Sequence, residues 1–261
     1  MSEIELVDVQ AGYGRAAPVL RGFSVAVPAG SVVCLVGPNG AGKSTVLKVA
    51  SGLLGPRSGR VLVGGRDLTG QGPRQMLAAG VALVLQGHSV FREMTVEENV
   101  LLGGYTLTDK AERAERAAFV KELFPVVRER WRSLAGLLSG GQQKQVEFAR
   151  SLMVDPRVVL LDEPSMGLDP KATSTIFEQV ARMRDAGTAV LLVEQNARRA
   201  LRTADLGYVL DLGRVHHSGS AAELLADPQL GELYLGGRPA EQPPVTSRTL
   251  GGAPAERPPV T

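Results

Sequence analysis

Apolar positions follow two different spacings along this chain, and the change from one to the other marks its parts. In the first third, short runs rich in valine are broken by proline and glycine, so Ile4–Val9, Gly22–Val27 and Ser31–Val36 read as strands. A helix is expected over Lys43–Ser51, stopped by Gly52. Gly59–Val63 reads as a short strand with a turn at Gly64-Gly65, and Ala79–Leu85 as a buried strand.

From Thr95 to about Leu152 the spacing turns helical. Thr95 and Glu98 form a capping box that opens a helix ending near Gly103-Gly104. Asp109–Leu123 is charged and helical, with Ala114, Ala117, Ala118, Phe119 and Leu123 as its expected apolar face. A further helix is expected over Gly141–Val154. This stretch is a helical insertion between strands. Beyond it, Arg157–Leu161 and Ala189–Val193 are continuous apolar strands flanking a helix over Ala172–Asp185. Strands and helices in alternation predict a parallel sheet covered by helices. Gly207–Leu212 and Arg214–His217 suggest a closing hairpin, and Ala221–Leu225 a last helix. The segment 236–246 is nearly repeated at 251–261, and its proline density predicts a disordered tail from about Arg238.

Composition narrows the function. With 261 residues, 44% hydrophobic and 21% charged, the chain can bury a sizeable core. The balance of 29 basic against 27 acidic residues argues against a nucleic-acid binder. Cys34 is the only cysteine, which excludes an internal disulfide; its apolar surroundings predict an inert buried thiol. The N-terminal residues lack the pattern of a secretory signal, and no stretch reaches the roughly 20 apolar residues that span a bilayer.

Gly37-Pro38-Asn39-Gly40-Ala41-Gly42-Lys43-Ser44 fits the phosphate-loop pattern G-x-x-x-x-G-K-[ST] where a strand gives way to a helix. Glycines let successive N–H groups turn towards phosphate oxygens, and the helix adds the positive end of its dipole. Lys43 is then the charge for the β- and γ-phosphates, Ser44 a Mg²⁺ ligand, and Thr45 a further hydroxyl near the α-phosphate. Downstream, Val158–Leu161 runs into Asp162 and Glu163. Ligands of parallel sheets gather at the carboxyl ends of strands, so Asp162 is expected in the Mg²⁺ shell and Glu163 as general base.

Between these motifs lies Leu138-Ser139-Gly140-Gly141-Gln142, a hydroxyl and glycine amides at a helix start, which is a second anion site. The order of the three motifs resembles the nucleotide-binding domain of ABC transporters. That resemblance implies a P-loop NTPase of the α/β class with a mixed sheet, a helical signature subdomain and an N-terminal antiparallel β subdomain. It implies one domain over 1–237 with the helical subdomain at about 87–154, and a tail dispensable for ATP hydrolysis. It further implies a dimer in which Ser139–Gln142 closes over ATP held by the opposite subunit.

By the same resemblance Tyr13 stacks on adenine, and Gln86 touches Mg²⁺ or the lytic water. Asp169, in Ser165–Asp169, belongs to the loop through which subunits sense each other. Where the family usually has a histidine, this chain has Glu194-Gln195-Asn196; Gln195 can offer only a neutral hydrogen bond, leaving the base role to Glu163 alone. The histidines are His88, His216 and His217, none at this place.

Phe91–Asn99, Glu122–Pro125 with Arg128–Arg130, Val193–Asn196 and Tyr234–Gly237 are similar to the shorter ATPase subunit of branched-chain amino-acid importers. Urea and amide importers use closely similar subunits. The implied partners are a second ATPase subunit, identical or different, integral membrane permeases and, indirectly, a substrate-binding protein. The implied place is the cytoplasmic face of the cell membrane, with Gln86–Asn99 against the permeases and Phe91 and Met94 either in that contact or in internal packing. A soluble ABC ATPase of translation or repair usually carries two cassettes or a long coiled-coil insertion, and a GTPase an Asn-Lys-x-Asp motif; the chain has none of these.

Overall fold

The computed structural model describes residues 2–87, 89–228 and 230. Strands β1 (Ser2–Ala11) and β2 (Leu20–Pro28) pair antiparallel, while β3 (Val32–Val36) leaves them for a second sheet and leads into α1 (Lys43–Ala50). The chain then returns through β4 (Ser58–Val63) and β5 (Arg66–Asp67), giving an antiparallel sheet of order β2-β1-β4-β5. Along β1 the buried residues Ile4 and Leu6 give way to Val9 and Ala11 with a register shift, and Asp8 sits there at φ 51°. The bulge keeps both apolar pairs on one face.

Next come α2 (Pro73–Ala78), β6 (Val81–Val84) and a helical part of α3 (Val96–Gly103), α4 (Lys110–Leu123), α5 (Pro125–Glu129) and α6 (Gly140–Ser151). The chain closes with β7 (Val158–Asp162), α7 (Pro170–Asp185), β8 (Ala189–Val193), α8 (Ala197–Thr203), β9 (Leu206–Asp211), β10 (Arg214–Ser220) and α9 (Ala221–Ala226). The second sheet has the order β10-β9-β3-β8-β7-β6, parallel except for the β9–β10 hairpin. This is the mixed sheet with a separate antiparallel sheet that the motif order implied.

The central strands explain their unbroken apolar sequences. Val33 and Leu35 of β3, Val158 and Leu160 of β7, and Leu191 of β8 pack with the antiparallel sheet and α1. Their alternates, Val32, Cys34, Val159, Leu161, Val190 and Leu192, join the core of the helical side. Both faces are dry, so no position alternates to polar. Each fully buried valine or leucine contributes about 1.5–3 kcal/mol. Cys34 is fully enclosed, and burial pushes its thiol far up, making it unreactive as its sequence context suggested.

Some local expectations need correction. The strand expected at Ala79–Leu85 is shorter: Ala79 caps α2, and Leu85 is exposed beyond the strand. Helices α2, α5 and α8 have six, five and seven residues, too few for a period to register in sequence. The helix expected over Gly141–Val154 begins at Gly140 and tightens into a 3-10 turn at Leu152–Val154. On α4 the buried face is Ala117 and Val120; Ala114 and Ala118 are exposed. The tail expected from Arg238 and the resemblance at Tyr234–Gly237 lie outside the described residues, as does His88.

Candidate active site

Strand order sets the site. Because β8 lies between β3 and β7, the phosphate loop after β3 and the carboxylates after β7 stand on either side of Gln195, just beyond β8. A cleft of about 330 Å³ at this edge is lined by Tyr13, Asn39, Gly40, Lys43, Ser44 and Glu163 among others.

The loop needs its glycines for two distinct reasons. A Cβ on Gly37 would stand 2.0 Å from the Leu210 carbonyl oxygen of β9, so the close approach tolerates hydrogen only. Gly42, the N-cap of α1, sits at φ 109°, where an L side chain is strained. The loop also rests on the hairpin turn, for Gly213 N–H donates to the Ala41 carbonyl at 3.0 Å. Ala41 itself faces the core and donates its N–H to the Pro38 carbonyl, so it contributes shape through backbone alone.

Lys43 is nearly buried, and its ammonium donates to the carbonyls of Gly37 and Pro38 at 2.8 and 2.9 Å. Burial lowers its pKa, against the opposing pull of Glu163 and Asp162. Ser44 Oγ donates to Asp162 Oδ1 at 3.5 Å, bringing together a hydroxyl from the first turn of α1 and a carboxylate from the end of β7. Tyr13 meets α1 as well: its hydroxyl lies 3.4 Å from Thr45 Oγ1, and Lys48 Nζ donates to it at 3.2 Å and stands over its ring. The Thr45 hydrogen bond is the main cause lowering the Tyr13 pKa. Lys48 was not singled out in the sequence; its place one turn along α1 from Ser44 is the only signal that could have found it.

Glu163 adopts φ 44°, in a region that costs a non-glycine residue of order 1–3 kcal/mol. Its N–H still pairs with the Val193 carbonyl at 2.9 Å, so the bend is held by the sheet edge. Gln86, just past β6, donates through Nε2 to Glu163 Oε2 at 3.0 Å and contacts the Met166 sulfur. Glu194 was also missed: it is almost wholly buried and accepts from the N–H groups of Ser165 and Gln195. Gln195 itself is exposed.

Asp162 has its carboxyl held above the usual range, first by burial and then by the charge of Glu163, with Ser44, Lys48 and Lys43 opposing. Ionising Asp162 therefore costs folding stability; the cost is absent below the ordinary carboxylate pKa and complete above the raised folded value. Asp162→Asn is expected to raise the thermal midpoint near neutral pH in buffer free of magnesium and nucleotide. The gain should fade as the pH falls through the carboxylate range. Calorimetry across that range checks it, and a lower midpoint at neutral pH would contradict it.

Ser139 and Gly140–Gln142 lie elsewhere. Ser139 is the exposed N-cap of α6, its Oγ accepting from Gln142 N–H while Gln142 Oε1 accepts from Ser139 N–H. This reciprocal cap leaves the Gly140 and Gly141 amides out of its own bonds. Gly141 touches the next helix so closely that a Cβ would sit 2.8 Å from Ala172 Cβ. A separate cleft of about 450 Å³ here is lined by Ser139, Gly141, Gln142, Gln145 and Asp169. Asp169 caps α7, accepting from the N–H groups of Lys171 and Ala172 at 2.9 Å. Of the residues expected at the nucleotide, Tyr13, Asn39, Gly40 and Gly42–Thr45 share a cleft with Glu163, whereas Ser139, Gly141, Gln142 and Asp169 share another.

The model of the family described as ABC transporter matches residues 20–166. The high-affinity branched-chain amino acid transport ATP-binding protein BraG of Pseudomonas aeruginosa is 42% identical over 86% of this chain and 96% of its own length. The probable branched-chain amino acid transport ATP-binding protein LivF of Archaeoglobus fulgidus is 37% identical over 89% and 98%. Among solved structures, an ATP-binding cassette of an ABC transporter in its ADP conformation superposes with a TM-score of 0.81 at 30% identity, covering 90% of this chain and 99% of that one.

Proposed function

The chain belongs to the ABC transporter family as an ATP-binding and ATP-hydrolysing subunit, and from that premise we propose that it drives an importer of branched-chain amino acids. It does so by ATP-dependent pairing of two cassettes beneath membrane permeases. The observation that carries the pairing is the separation of the two clefts: Lys43 and Glu163 line one, Ser139 and Asp169 the other. A half-site with no partner loop in its own chain suits completion by a second subunit.

In this reading the loop amides and Lys43 hold the β- and γ-phosphates, Tyr13 supports adenine, and Thr45 adds a hydroxyl near the α-phosphate. Glu163 accepts a proton from water as its oxygen bonds to the γ-phosphorus and the bond to the β-phosphate oxygen breaks. Gln86 orients the Glu163 carboxylate. Gln195 offers a neutral hydrogen bond and is not required for chemistry.

The Ser44 hydroxyl, the Asp162 carboxylate and the Gln86 carboxamide are hard oxygen donors of the kind that suit Mg²⁺, which takes one or two carboxylates beside phosphates and water. When bound, the ion neutralises charge on the β- and γ-oxygens. Residues 1–237 would form one nucleotide-binding domain, with 87–154 as the helical subdomain.

Partnership with permeases draws on a groove of about 420 Å³ between β6 and the helical part, lined by Leu77, Val84, Leu102, Tyr105 and Glu147 among others. Tyr105 is 62% exposed and Phe91 50%, while Met94 is half-buried. Phe91 is thus available to a permease, and Met94 keeps part of its surface open to the same contact. No helix among the described residues is long and apolar enough to cross a membrane. Capture of the tagged chain from native membranes is expected to recover integral permeases. Recovery with ribosomes or DNA would reject the proposal, and leucine uptake compared with urea uptake decides the substrate.

A further inference from the structure

Helix α6 carries a charged cluster that the hydrolytic site does not use. Lys144 and Glu147 form an ion pair at 2.5 Å with side chains 3% and 0% exposed. Buried pairs of this kind are seldom better for stability than apolar residues of equal size, so what their remaining bonds hold is informative. Lys144 Nζ donates to the Gly87 carbonyl, and Glu147 Oε1 accepts from Ser89 N–H. One turn further on the same face, Arg150 donates to Ser89 O at 2.9 Å and Ser89 Oγ at 2.6 Å. All of these bonds fall within three residues of Gln86, on its C-terminal side.

We propose that the Lys144–Glu147 pair is a positioning device for ATP hydrolysis: it anchors the backbone after Gln86 and thereby holds the Gln86 amide against Glu163. The proposal rests on the roles given above to Gln86 and Glu163. Without the anchor, the exposed Gln86 side chain has only Glu163 and Met166 to direct it. Because Ser139 caps α6, the same helix that presents one half-site fixes a side chain of the other.

Removing one partner leaves a buried charge and risks unfolding, so the test uses two double variants of the full chain. In K144M/E147L both charges and the bonds to the Gly87 carbonyl and the Ser89 N–H go, while Arg150 keeps its bonds to Ser89 O and Oγ. In K144M/E147Q the carboxamide oxygen still accepts from Ser89 N–H. For K144M/E147L, amide hydrogen exchange at Ser89 is expected to speed up about tenfold or more while β3 and β7 keep their protection. Its kcat should fall about tenfold with ATP affinity within about twofold of wild type. K144M/E147Q should keep Ser89 protection and recover most of kcat.

Unchanged Ser89 exchange or unchanged kcat in K144M/E147L overturns the proposal, and so do equal losses in both double variants, which would indicate packing alone. Q86A made in the wild-type chain examines the underlying site. A loss of kcat there that shrinks in the K144M/E147L background supports the anchor, and a loss of equal size in both rejects it. No loss in either background removes the role of Gln86 itself, whatever Ser89 exchange does.

Discussion

Glu163→Gln is expected to lower kcat for ATP hydrolysis by about 10²–10⁴-fold, the range that a positioned general base supplies. ATP affinity should stay close to wild type. The substitution keeps the shape of the side chain and an oxygen for the Gln86 amide, but the carboxamide cannot take a proton from water. The bent backbone at Glu163 is held by Val193 and owes nothing to the side chain, so the fold is preserved. Single-turnover hydrolysis beside nucleotide-binding titrations separates the two effects. Hydrolysis within a few-fold of wild type would transfer the base role to another group.

The second large effect comes from mixing two inactive chains. Lys43→Ala removes the phosphate cation from one cleft; Ser139→Arg obstructs the other, which shares no lining residue with the first. Each variant alone is expected to be nearly inactive. If hydrolytic sites are shared between copies, a mixed dimer joins an unaltered Lys43 cleft to an unaltered Ser139 loop. An equal mixture then regains about a quarter of the wild-type sites, since half the dimers are mixed and each has one intact site. An ATPase assay of the mixture against its components reads the result. No recovery in dimers shown to be mixed would place both motifs in separate roles.

Much of this was legible in sequence because the chemistry is local. Gly37–Ser44 must be glycine-rich, strand-preceded and helix-followed to face phosphates, and each condition leaves a mark within ten residues. Asp162 and Glu163 were found in the same way, as charges ending an apolar run. The cap at Thr95 was equally plain, whereas Ser139 offered a hydroxyl at a helix start without showing itself as the cap of α6. What stayed hidden depends on distance along the chain. Glu194 is a buried carboxylate because Ser165 folds over it, and nothing near position 194 announces that. Lys144 and Glu147 read as one more polar pair on a charged helix until Gly87 and Ser89 are laid beside them. Helices α2, α5 and α8 escaped for a different reason, being shorter than the period needed to reveal them.

The floor beneath the phosphate loop has a consequence for synthesis on the ribosome. Gly37 rests against Leu210, Ala41 is tied to Gly213, and β3 takes its parallel neighbours from residues 190–193 and 206–209. The loop is translated early, but its floor comes late. A growing chain therefore carries the glycine-lysine segment long before Leu210 and Gly213 emerge, with Val19 and Leu20 beside Gly42 as its early support, and the floor of the pocket is completed only with the late strands.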